Sequence, residues 1–128
     1  MLKGSCLCGT VRYEIDGKLE KVSHCHCSLC RKASGSAFST GATIPAASFR
    51  FVSGAEFIKE WESSPGNFRC FCGRCGSPII KRKSHAPDEI RLRMGTLDSD
   101  PGVKPSRHSH VQSKAAWFDI KDGLPQTD

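Results

Sequence analysis

The chain has 128 residues, a length suited to one domain, and with 38 % apolar and 8 % aromatic residues it can build only a thin core. A constraint beyond apolar burial is therefore expected, since conformational entropy must still be offset. Nineteen basic against thirteen acidic side chains give a formal charge of +6, and no window approaches the ~18 consecutive apolar residues of a membrane-spanning helix, so the pattern excludes a helical membrane protein.

Met1 to Cys6 shows no basic segment followed by an apolar run, so a cytoplasmic location is expected. Thr10 to Ile15 alternates polar and apolar side chains as a half-buried strand does, and Asp16-Gly17 turns the chain after it. Val22 leads into His24-Cys25-His26-Cys27-Ser28-Leu29-Cys30, too rich in ligand-type side chains for ordinary core, which reads as a metal loop with one helical turn. Phe38 to Ile44 and Phe49 to Val52 are short runs bounded by Pro45 and Ser53-Gly54 and read as strands. Glu56 to Glu62 is assigned to a strand, Ser63 to Asn67 to a turn, and Phe68 to Cys75 to a second cysteine loop. Pro78 to Lys81 resumes an extended run, which makes a hairpin with a metal at its tip. Ile90 to Met94 alternates again, Val111 is placed in a last strand, and Trp117 and Phe118 are expected to close the core. The fold expected is mainly β: one small domain over residues 1–122, with residues 123–128 a loose tail.

The eight cysteines fall into Cys6-x-Cys8, Cys25-x-Cys27-x-x-Cys30 and Cys70-x-Cys72-x-x-Cys75. Disulfide half-cystines are usually dispersed, because cross-links stabilise by closing long loops, and residues one apart rarely meet the bridge geometry. Thiolates two or three residues apart bend readily round one ion, and Gly9, Gly73 and Gly76 let backbone amides approach the sulfur charges. Zinc is the expected metal, and thiolate binding would lower the formal excess to about +3. Eight sulfurs suffice for two four-cysteine sites, and spacing alone leaves the grouping open. A closed shell of four ligands would be structural, whereas an open position would permit chemistry.

Gly4-Ser5-Cys6-Leu7-Cys8-Gly9, Cys25 through Gly35, and Phe71-Cys72-Gly73-Arg74-Cys75-Gly76-Ser77 resemble the glutathione-dependent formaldehyde-activating enzyme family, which includes centromere protein V. Gly95-Thr96-Leu97-Asp98 and His108 through Phe118 are similar to later blocks of that family, in its order. The resemblance implies twisted antiparallel sheets stapled by cysteine-ligated zinc, with Cys6, Cys8, Cys72 and Cys75 on a structural ion that joins two hairpins. It implies that Cys25, Cys27 and Cys30 hold a second, catalytic zinc with one position open. It further implies a carbon–sulfur lyase that forms S-hydroxymethylglutathione reversibly from glutathione and formaldehyde.

Cys70 departs from the family pattern. It is expected to be a spare thiol beside Cys72, the alternative being a fourth ligand that would close the second site. Arg31 and Lys32 are candidates to pair with glutathione carboxylates, and His108 is a candidate pocket residue, whereas His110 stands where an aromatic side chain is expected. The competing reading is a non-catalytic zinc module that binds nucleic acid or protein through Lys81-Arg82-Lys83, Arg91 and Arg93. Those charges look dispersed, and no stacking motif or recognition helix accompanies them, so a small thiol–aldehyde adduct is the expected partner and nucleic acid is not.

Overall fold

The computed structural model describes all of residues 1–128. The chain is mainly β, with ten strands in two sheets and one short helix. The strands are β1 (Leu2–Ser5), β2 (Arg12–Ile15), β3 (Glu20–Cys25), β4 (Ser39–Pro45) and β5 (Phe49–Ser53). They continue as β6 (Ile58–Ser64), β7 (Asn67–Cys72), β8 (Pro78–Lys83), β9 (Glu89–Arg93) and β10 (His108–Ser109), with α1 spanning Ser28–Ser34. The smaller sheet runs β1-β2-β5 and the larger β10-β3-β4-β9-β8-β7-β6, every pair antiparallel except β10 with β3. No helix is long and apolar enough to cross a membrane.

Alternation accounts for the core. Tyr13 and Ile15 of β2 turn inward, as do Ala42 and Ile44 of β4 and Ile90 and Leu92 of β9, and one cluster joins the two sheets through them. The intervening residues of β4 and β9, Thr43, Arg91 and Arg93, therefore face the opposite side of the larger sheet. That second face is where the chemistry-bearing side chains gather.

Three expectations fail near the C-terminus. Val111 lies in a 3₁₀ turn (Val111–Ser113), and the preceding strand is the two-residue β10. The segment 123–128, expected to be loose, is held by its backbone: His108 N–H donates to Pro125, Thr127 N–H to His108 and Val111 N–H to Thr127, at 2.9–3.0 Å. These bonds satisfy main-chain groups and leave the side chains exposed, so hydropathy carried no trace of them. Trp117 is 73 % exposed and closes no core, whereas Phe118 packs edge-on against Phe38 at 5.5 Å.

Candidate metal centres

The β1–β2 and β7–β8 hairpins each end in a cysteine pair, and the fold brings the two tips together. The sulfurs of Cys6, Cys8, Cys72 and Cys75 all lie within 4.8 Å of one another, with Cys6 to Cys8 at 3.6 Å and Cys8 to Cys72 at 4.0 Å. A tetrahedral ion with metal–sulfur bonds of ~2.3 Å sets its sulfurs about 3.8 Å apart, so the quartet fits a metal and not a disulfide. Backbone amides supply the matching polarity: Val11 N–H donates to Cys6 Sγ at 3.2 Å and Arg74 N–H to Cys72 Sγ at 3.4 Å. A Ser77 hydroxyl beside Cys75 is the main influence holding that thiol well below its ordinary range, at about 5. This quartet could hold a metal ion that staples hairpins far apart in sequence.

The second group forms where β3 hands over to α1. Cys25 ends the strand, Cys27 caps the helix by accepting Cys30 N–H at 3.3 Å, and Cys30 sits buried in the first turn. Gly35, with φ 65°, stops the helix by donating its N–H to Arg31 O at 2.8 Å. The three sulfurs lie within 4.8 Å of one another and could hold a second ion. Cys30 is held far below the ordinary thiol range, first by a hydrogen bond from Cys25, which outweighs burial, then by the charge of Arg93 and by hydrogen bonds from Cys27 and Arg69. Arg69 Nη2 reaches Cys30 Sγ at 3.8 Å.

Cys70 belongs to neither group. Successive residues of β7 face opposite ways, so with Arg69 turned to Cys30 the thiol of Cys70 turns away. It is buried near Glu60 Oε2 at 3.5 Å, and burial, followed by the Glu60 charge, pushes it up to about 12. It is a protonated core thiol, and the trio is left with three sulfurs.

The histidines beside the trio are engaged elsewhere. His24 Nδ1 pairs with Thr40 Oγ1 at 2.7 Å, and His26 Nε2 shares a 2.7 Å hydrogen bond with His108 Nδ1. His108 Nε2 donates to Asp122 at 2.8 Å. Desolvation first, and then His108, lowers the proton affinity of both His24 and His26. His108 is thus a buried tie between β3, β10 and the C-terminal segment, and it lines neither of the two cavities that flank the trio. Arg31 and Lys32 occupy the last turn of α1 and line neither cavity.

Sequence reasoning took Lys81, Lys83, Arg91 and Arg93 for a dispersed basic surface and missed their convergence on the sulfurs. A cleft of about 320 Å³ contains Cys25 and Cys30 together with Lys21, Lys81, Lys83, Arg91, Arg93 and Arg107, against a single acid, Glu89. It crosses one face of the larger sheet. Lys81 lies opposite Arg91 in the β8–β9 register, which aligns charges that look scattered along the chain. Arg91 is pinned by Ser23 Oγ at 2.6 Å, Lys21 O at 2.6 Å and Thr43 Oγ1 at 3.0 Å. Burial, and then Arg93, lowers its pKa to about 10, and burial with Arg93 and Arg69 also lowers Lys81. Crowded, partly desolvated cations of this kind favour an anionic guest. His110, which the sequence reading set aside, lines the cleft with its backbone in the left-handed region (φ 55°), a strain often tolerated where a side chain must be aimed. The alternation of Lys81 with Lys83 and of Arg91 with Arg93 was the available signal.

A protein of Halomonas elongata named "Putative glutathione-dependent formaldehyde-activating enzyme" is 30% identical over 129 residues, covering 94% of this chain and 82% of its own. A crystal structure of a Rhodobacter sphaeroides protein aligns with a TM-score of 0.65 at 27% identity, covering 80% of this chain and 91% of that one. The family model described as "Glutathione-dependent formaldehyde-activating enzyme" matches residues 1–113, which contain all eight cysteines. This chain belongs to the glutathione-dependent formaldehyde-activating enzyme family.

Proposed function

We propose that the protein is a zinc-dependent carbon–sulfur lyase that joins glutathione reversibly to a small aldehyde, with formaldehyde the substrate that family membership suggests. The observation that carries this reading is the opening of Cys25 and Cys30, two of the three clustered sulfurs, into a cleft lined by six cationic side chains. Zinc on three sulfurs retains one position, where it would favour the ionised form of a substrate thiol near neutral pH and polarise an oxygen. Cys6, Cys8, Cys72 and Cys75 would hold the structural zinc.

The chain's own residues then have distinct tasks. Lys21, Lys81, Lys83, Arg91 and Arg107 attract the two carboxylates of glutathione and orient its cysteine toward Cys25 and Cys30. The thiol sulfur adds to the carbonyl carbon, the carbonyl electron pair moves to oxygen, and the thiol proton ends on that oxygen. Arg69 and Arg93, beside Cys30, stabilise the charge that develops there. Six cations around a cleft of this volume suit a tripeptide anion better than a nucleic-acid backbone, which would need an extended basic track.

Exchange spectroscopy with ¹³C-formaldehyde and glutathione tests the reading. The zinc-loaded protein should raise the exchange rate well above the spontaneous one. Cys27→Ser should abolish the gain and release one equivalent of zinc while the circular dichroism spectrum persists, because serine is itself a good helix N-cap. An unaltered spontaneous rate with the parent protein would refute the assignment.

A further inference from the structure

A second and larger cavity, about 620 Å³, shares Arg93 with the cationic cleft. Its walls are mostly apolar, with Phe38, Trp61, Phe71, Pro78 and Ile80 contributing, and Arg69 and Arg93 are among its polar lining residues. Arg93 lines both cavities and so forms part of a wall common to the two. Only 8 % of Arg93 is exposed; its Nη1 donates to Ser39 Oγ at 2.8 Å, and its Nη2 has no partner. Arg69 shows the same division, with Nε on Ser63 Oγ, Nη2 toward Cys30 Sγ and Nη1 unpartnered. The two unpartnered nitrogens are enclosed, and the positive charge of the two guanidiniums makes their part of the cavity attractive to an electron-rich oxygen.

Charge points the same way. Three thiolates round one divalent cation leave a single negative charge, whereas Arg69 and Arg93 bring two positive ones, so the pair retains capacity for an electron-rich oxygen. Formaldehyde has one carbon and would leave the apolar walls untouched. We propose that this cavity binds the organic body of a carbonyl compound much larger than formaldehyde, an aromatic or branched aliphatic aldehyde, with its oxygen turned to Arg69 and Arg93. The inference rests on the lyase reading only for the reaction that follows: the glutathione sulfur bonds to the aldehyde carbon, and the thiol proton passes to the aldehyde oxygen, with no redox change.

Benzaldehyde is the probe. Added without glutathione to the zinc-loaded ¹⁵N-protein, it should shift the amides of Phe71, Gly95 and Thr96, and with glutathione its kcat/KM should exceed that of formaldehyde at least tenfold. Gly95 has ordinary backbone geometry, and a Cβ there meets nothing within 4 Å, so Gly95→Leu fills the cavity without strain. It should lower the benzaldehyde-to-formaldehyde ratio at least tenfold. Ala33→Phe, on an exposed position of α1 at the rim, should act in the same direction if Gly95→Leu folds poorly. Amide shifts without glutathione-dependent turnover would keep the binding site and remove the lyase reading. Turnover of formaldehyde with no shift from benzaldehyde would keep the lyase and overturn this proposal.

Discussion

Gly4 sits opposite Tyr13 in the β1–β2 register, and the phenol ring lies across its face. A Cβ at this position would fall 2.1 Å from Tyr13 Cζ. The ring has little freedom to retreat, since it stacks on Phe49 at 5.1 Å and its hydroxyl meets Thr96 Oγ1 at 2.7 Å. Gly4→Ala should therefore cost about 1–3 kcal/mol of stability, visible as a lower urea midpoint with unchanged slope. At this scale the ligand types were legible in the cysteine spacing. Spacing left two places for Cys70, the spare thiol being the one expected, and its position outside both groups follows from the way Arg69 points, which the neighbouring strands decide.

Among the elements, β2, β4, β5 and β9 were readable because apolar residues alternate within them, and β8 because Pro78-Ile79-Ile80 opens an extended run. Strand β3 was hidden: Glu20 to Cys25 carries one aliphatic residue, Val22, and a register shift between Glu20 and Ser23 breaks the period. The cleft draws on β3, β4, β9, β8 and the approach to β10, so its charges converge only once the strand order is known. Lys81 is central to that convergence. Burial and the neighbouring arginines depress its pKa below the ordinary 10.5, so it sheds its charge earlier than a free lysine as pH rises. Glutathione affinity should fall through that alkaline interval, and Lys81→Arg, which keeps its charge, should flatten the decline in a calorimetric titration. At neutral pH Lys81→Gln should weaken binding about fivefold to fiftyfold, in line with loss of one charge-assisted contact.

For the whole molecule, the family blocks made the mainly β architecture and the two sulfur groups legible, whereas the C-terminal tie was not, since it is built from main-chain bonds. The two groups differ in ligand number, and this predicts two phases of metal loss. A strong chelator should first take the ion from the trio, ending turnover with the far-ultraviolet spectrum intact. Removal of the second ion should lower Tm by about 10 °C or more, because a structural thiolate site contributes several kcal/mol to folding. Simultaneous loss of both ions with unfolding would contradict this division. The quartet also separates its halves in time. Cys8 leaves the ribosome 64 residues ahead of Cys72, and at ~5–20 residues per second the first pair waits about 3–13 s for the second. During that interval Cys6 and Cys8 are a naked dithiol on a growing polypeptide, open to oxidants and to softer, wrong ions, so yield in the cell should depend on how reducing and how zinc-replete the cytosol is while translation proceeds.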